Sequence, residues 1–383
     1  MVERDGQATG RRAIILIPGL EEAEKSEKRD LLVANLVTIE GRRLRVDGTV
    51  QVGAEAGVRL RAEPLRGDVD AVARELDVFE AYWTDMTVKS QEQGLKHKLR
   101  LGFSLLFFWV FSYRFWGAFS ISRWMTLGML ASGGLMCLWF LSLAVLAANA
   151  LSVQDLVPAE LQSSPTVTKG VTWAKETLGS VASTEFWGVI TLLLAMVPVE
   201  TGIKIAAFTK HYLQDVPDET GVGLRARIRS RVTAVIEEVS KSEEYDEIFV
   251  TGHSFGTVIA TDILADWPHE ADRARVTFVT WGSPMAMLQF RSVWLRDQLA
   301  AIARPGAVAR WCDFWSPTDW LCSRVPVEQG GAVELSSRRL AFEAPFHQRL
   351  TGETHKLYYK EQAVLEFLAA PLPLVAEEGV AEA

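Results

Sequence analysis

Gly252-His253-Ser254-Phe255-Gly256 places a serine between two glycines, each two residues away. A serine hydroxyl can attack a carbonyl only if a base takes its proton and the backbone holds it clear of neighbouring side chains. Composition alone would produce about 0.1 such strings in a chain of this length, so the flanks decide. Asp246–Thr251 (DEIFVT) reads as a buried strand and Gly256–Ala265 as a helix, which is the strand–turn–helix setting this motif needs. Gly252 and Gly256 then remove the side chains that would clash in a sharp turn, and the hydroxyl stands at the positive end of the following helix. A glycine-rich turn without chemistry is the competing reading.

The base must be a histidine, and there are six. His97 and His211 flank an apolar region. His253 adjoins the serine and is expected to point away from it. His269 follows the helix after the turn, on the wrong side of a sheet. His347 and His355 remain, both beyond the last expected strand, where a loop can return to the strand tips. The acid that orients the base should precede it, and WCDFWSPTDWL offers Asp313 and Asp319. Asp313 falls inside a strand pattern, whereas Asp319 lies just past it, where a carboxylate can face an imidazole. An oxyanion needs two backbone N–H donors. The expected pair is Phe255, next to the serine, and Leu20, in a Pro18-Gly19-Leu20 turn where Gly19 permits close approach.

These groups need a frame. Arg12–Pro18 (RAIILIP) reads as a buried strand, and Lys28–Val37 as a helix. Arg42–Val46 and Val50–Val52 are expected to form a hairpin about Asp47-Gly48, with Val58–Ala62 adding a strand and Asp77–Trp83 another. Val276–Trp281 and Val308–Trp315 continue the strands. Met285–Ala303 and Tyr358–Ala369 read as helices, and Leu224, Ile228, Val232, Val235 and Val239 share one helical face. Alternating strands and helices imply an α/β fold with a mainly parallel sheet covered on both faces.

With these residues in place, the chain resembles the α/β-hydrolase superfamily, and its lipase-like members most closely. Their GHSxG elbow is followed by a strand ending in Gly-Ser-Pro, here Gly282-Ser283-Pro284, and then by an aspartate in a setting that Trp311, Phe314 and Asp319 match. Their histidine often precedes a tyrosine by three residues, as His355 precedes Tyr358; His347 has no such match. The resemblance covers Arg12–Leu20 and about Leu224–Leu368. It implies a catalytic triad of Ser254, Asp319 and His355, an ester or lipid-like substrate, and neither cofactor nor metal.

Between these parts the composition changes. Met125–Asn149 carries no charge, and as a helix of about 37 Å it could cross a hydrocarbon core of about 30 Å. Phe186–Phe208 is apolar up to Val199, and Leu101–Phe119 is interrupted by Arg114. Basic residues flank the region, and Leu151–Glu185 between the stretches holds only Lys169 and Lys175. The positive-inside rule therefore puts that loop outside, with spans at about 125–149 and 186–208 and Leu101–Phe119 on the inner face. The alternative is a hairpin of the first two stretches. Either count is even, as it must be if both flanks build one catalytic domain. The expected divisions are an N-terminal part at 1–95, a membrane insertion at 96–210 in place of the usual cap, a C-terminal part at 211–371 and a loose tail at 372–383.

The formal charge of −8 disfavours nucleic acid as a partner. Cys137, Cys312 and Cys322 fit neither a disulfide framework nor a zinc pattern. The polar start MVERDGQATGRR is no signal peptide, so the catalytic domain is expected in the cytoplasm. Gly221-Val222-Gly223-Leu224-Arg225-Ala226 matches a short dinucleotide fingerprint but follows no strand. The expectation is a membrane-anchored serine hydrolase acting on a carboxylic ester, with the lipid bilayer as partner. Acyl transfer at the same site, or a non-catalytic scaffold, are the alternatives.

Overall fold

A computed structural model describes residues 10–40, 44–62, 74–87, 123–150, 164–181, 184–195, 199–217, 221–242, 244–327 and 333–370, with isolated positions 104, 105, 108, 117 and 119. The chain divides into two compact units: Met1–Lys89 with Trp116–Ser122 and His211–Ala383, and Ser90–Phe115 with Arg123–Lys210.

The first unit is built on one eight-stranded sheet: β1 Arg11–Ile17, β2 Leu44–Val52, β3 Glu55–Ala62, β4 Arg74–Glu80, β5 Glu247–His253, β6 Val276–Trp281, β7 Arg310–Trp315 and β8 Leu335–Arg339. Their order is β2-β3-β4-β1-β5-β6-β7-β8. β1 runs parallel to both β4 and β5, β5 to β8 are parallel in succession, and only β2–β3 and β3–β4 are antiparallel. β1, β5 and β6 are buried nearly throughout, as continuous β-branched runs in a doubly covered sheet should be.

Alternation along the strands sends residues to both faces. Ile14, Leu16, Phe249, Val279, Trp281 and Phe314 pack with helix α1 (Glu27–Val37) and the C-terminal helix Gln362–Leu368 in one core. On β1 and β5, Phe255–Ala265 lies across the sheet and packs on Leu224–Ser240 and Val293–Ile302. Arg12 is buried but neutralised, with Nη2 2.6 Å from Glu247 Oε2 and Nη1 donating to the Leu368 and Ala370 carbonyls. This ties residues 368–370 to the central strand, and a buried charge demands such pairing.

Three local expectations are corrected. The hairpin does not turn at Asp47-Gly48: β2 runs through that pair with a register irregularity between Val46 and Gly48, and turns at 53–54, since Val52 faces Glu55. Gly53 takes the positive φ that a two-residue turn requires. Met285–Ala303 is two helices, Met285–Leu288 and Val293–Ile302, the second started by Ser292 Oγ accepting the Leu295 N–H. The expected final helix begins as a 3₁₀ turn, Glu353–Lys360, before Gln362–Leu368.

Among the described residues the second unit holds the helices α2 Arg123–Ala150, α3 Pro165–Val181, α4 Thr184–Ala195 and the start of α5 Val199–Gln214. Among the described residues no helix is long and apolar enough to cross a membrane. Parts of the uncharged run Met125–Asn149 lie outside them, since side chains at 124–125, 128–129, 132, 136 and 147–150 are not described. Of the expected span Phe186–Phe208, the described residues form α4 of 12 residues and part of α5 of 16, and residues 196–198 between the two helices lie outside them. Part of Leu151–Glu185, expected as a loop, is the helix α3. Leu101–Phe119 falls almost wholly outside the described residues, as does the tail after 370.

Candidate active site

Because β1 and β5 are parallel neighbours with Ile17 opposite Gly252, the loop after one and the turn after the other emerge side by side. Strand order reverses here, β4 lying on the other side of β1. Crevices at such points are where open α/β sheets bind ligands.

Ser254 follows β5 with φ 52° and ψ −124°, a conformation that side-chain-bearing residues rarely adopt. Its N–H donates to the Trp281 carbonyl at 3.1 Å, and its carbonyl accepts from Thr257 N (3.0 Å) and Thr257 Oγ1 (2.7 Å). The turn is thereby held between β6 and the first turn of the helix α6 (Phe255–Ala265). The glycines are explained by contact. A Cβ on Gly256 would lie 2.1 Å from the Ile17 carbonyl oxygen, and one on Gly252 would lie 2.7 Å from Thr257 backbone. A Cβ on Gly19 would lie 2.8 Å from Ser254 Cβ, so the Pro18-Gly19-Leu20 turn reaches the serine itself. Phe255 opens α6, so its N–H belongs to the first turn, where amides have no partner within the helix. Leu20, half-buried, stands one residue past Gly19.

His355 Nδ1 is 2.7 Å from Asp319 Oδ2, and both residues are buried. Asp319 Oδ1 accepts the Leu321 N–H at 3.0 Å, so both carboxylate oxygens are engaged. Burial alone would lower the pKa of His355 and raise that of Asp319. The charge and hydrogen bond each supplies to the other outweigh burial, so His355 is raised and Asp319 lowered. Tyr358 braces the pair. Its hydroxyl accepts the Ser316 N–H at 3.0 Å and touches Cys322 Sγ at 3.0 Å, linking the aspartate loop to the turn bearing the histidine. Gly282, at φ 61°, lies against the imidazole, and a Cβ there would sit 3.0 Å from His355 Cε1. The Gly-Ser-Pro turn after β6 therefore accommodates the histidine beside the strand end that holds Ser254.

The other candidates fall elsewhere. Asp313 is buried within β7, accepting from Thr280 Oγ1, Val325 N and Ser337 Oγ, and burial pushes its pKa up to about 6. His347 lies in the short helix Phe346–Thr351. His253 holds the surprise. It is fully buried, and its Nε2 lies 2.9 Å from the His355 carbonyl oxygen. Its ring packs on that of His355 with centroids 4.8 Å apart. Glu21 adds its charge nearby, paired with Lys28 and contributing to the raised pKa of His355. The sequence signal for His253 was its place in the motif, but a strand-end residue shows its packing partner only when the distant 355 segment is in place.

A family model, Lipase (class 3), matches residues 172–304. The matched part contains the elbow, β6 and the Gly282 turn, and stops before Asp319 and His355. No curated protein and no solved structure matches the chain. The match supports a lipase-like α/β-hydrolase, and the chain is accordingly a serine ester hydrolase.

Proposed function

We propose that the chain hydrolyses carboxylic esters of lipids through an acyl-enzyme formed on Ser254, with His355 as general base and Asp319 as its orienting acid. The observation that carries this is the buried 2.7 Å Asp319–His355 pair set against Gly282, whose strand end binds the backbone of the strained Ser254. With Nδ1 given to Asp319, the imidazole uses Nε2 to take the Ser254 proton as Oγ attacks the ester carbonyl. The carbonyl oxygen becomes an oxyanion, held by the N–H groups of Phe255 and Leu20. Collapse expels the alcohol, which leaves with the proton from Nε2. Water, deprotonated by the same nitrogen, then releases the carboxylic acid and restores Ser254.

A fluorophosphonate probe tests this reading. Detergent-solubilised protein is expected to take up one probe per chain, and peptide mapping is expected to find it on Ser254. A folded protein that stays unlabelled, or carries label elsewhere, would sink the mechanism.

We further propose attachment to a membrane through the second unit. Support comes from the uncharged run Met125–Asn149 within the 28-residue α2, and from α4 packed beside it, with Thr191 Oγ1 3.0 Å from Ser142 Oγ. The number of crossings is even on this reading, because β1 and β4 precede the unit in sequence, β5 follows it, and the three share one sheet. Alkaline carbonate should leave the protein in the membrane pellet; release into the supernatant would reject the anchor.

A further inference from the structure

We infer that His253 is a positioning residue for His355, holding its backbone through a hydrogen bond from Nε2–H to the His355 carbonyl. The inference rests on the triad reading and deepens it. A carbonyl oxygen only accepts, so the 2.9 Å contact requires the proton on Nε2 of His253. Burial, and then the neighbouring His355, push the pKa of His253 down to about 3, so the ring is neutral at working pH and keeps that single proton. The tautomer is thereby set, and Nδ1 becomes a bare acceptor with no hydrogen-bond partner among the described residues. A buried nitrogen without a partner costs stability, and an apolar ring would avoid that cost.

What the histidine supplies instead is a junction. It immediately precedes Ser254 on β5, and a Cβ on Gly19 would lie 3.2 Å from its Nδ1, so it also touches the proposed oxyanion turn. Its ring meets His355 at 4.8 Å and Tyr359 at 4.9 Å between centroids. One side chain thus contacts the segments bearing the nucleophile, the oxyanion turn and the base. The base has further anchors, its own N–H bonded to the Gly352 carbonyl and its Nδ1 bonded to Asp319. Neither of these ties it to β5. The His253 bond does, fixing the separation between base and nucleophile.

The test compares His253→Gln, whose side-chain amide carries an N–H near the position of Nε2, with His253→Phe, which keeps a ring and has no donor. Each full-length variant is assayed in detergent on a short-chain p-nitrophenyl ester, with fluorophosphonate labelling rate and thermal midpoint measured alongside. The expected result is a kcat lowered by about 10–100-fold in the Phe variant at unchanged KM, the scale of a misplaced catalytic group, with labelling slowed in parallel. The Gln variant is expected within about threefold of wild type, whatever its thermal midpoint, because the donor is retained. If His253→Phe does not fold, His253→Met, unbranched and without a donor, replaces it in the comparison. A donorless variant as active as wild type overturns the inference, and so do equal losses in the Gln and donorless variants. Wild-type protein that fails to label would count against the triad itself, a separate outcome.

Discussion

Ser254→Ala is expected to lower kcat by roughly 10⁶-fold, since removing the nucleophile leaves only what binding and the oxyanion donors contribute. The same position makes a second demand on the fold. Ser254 sits at φ 52° and ψ −124° because the chain must leave β5, bond to the Trp281 carbonyl and enter α6 within a few residues. Alanine inherits that strain, so its stability should match wild type closely. Ser254→Gly relieves it. Strain of about 1–3 kcal/mol is recovered against about 0.5–1 kcal/mol of added chain entropy in the unfolded state. The glycine variant should therefore be inactive yet more stable by about 1 kcal/mol, read as a higher urea midpoint at constant m. An alanine variant that retains a hundredth of wild-type turnover would remove Ser254 from the mechanism. A glycine variant less stable than the alanine one would show that the elbow is unstrained.

Asp319→Asn should cost about 10⁴-fold in kcat with little change in KM, for a reason visible in the hydrogen bonds. Oδ1 accepts the Leu321 N–H, so an asparagine would keep its carbonyl oxygen there and turn its amide N–H₂ toward His355 Nδ1. That nitrogen must then accept, which moves the imidazole proton to Nε2. The base would present a donor where an acceptor is needed.

The pH dependence follows from the same pair. His355 works only when neutral, and its pKa is raised above the ordinary 6.5, because Asp319 outweighs the effect of burial. Activity should therefore rise through an acidic limb centred above about 6.5, and in the asparagine variant that limb should move down. Stability carries the opposite sign at this group. The raised His355 contributes fully below its unfolded pKa and loses its contribution as pH rises through the folded value. The lowered Asp319 contributes above its unfolded pKa and loses its contribution as pH falls through the folded value. The ion pair, one interaction seen from two sides, thus stabilises most between about pH 4 and 6.5 and fades where activity grows. A limb below 6 in wild type, or one unmoved by the substitution, would contradict this account.

The elements that position Ser254 were legible in the chain because the rules that make them act over a few residues. Gly252 and Gly256 bracket the serine at the spacing a sharp turn requires, and IFVT before it reads as a buried strand. β1, β6 and β7 were equally visible as short β-branched or aromatic runs. Asp319 could be preferred to Asp313 by its place beyond a strand end, and Asp313 is indeed consumed within β7. Weak local patterns are overruled by strand pairing. β8, Leu335–Arg339, carries no alternation in its sequence, because LSSRR at the sheet's edge exposes most of its side chains. The Asp47-Gly48 pair suggested a turn, but pairing with β3 kept it inside a strand.

Other features belong to the tertiary structure alone. Nothing in the residues separated His355 from His347 except a resemblance; the separation is made by the loop after β7, which places Asp319 against one and not the other. Gly19 and Ser254 are far apart in the chain and adjacent in space only because β1 and β5 pair in parallel with Ile17 opposite Gly252. The contact of His253 with His355 depends on that pairing, on the Gly282 turn and on the return of the chain after residue 340. Side-chain chemistry and local sterics are written residue by residue, whereas which groups meet is decided by strand order and register, the joint outcome of burying the whole sheet.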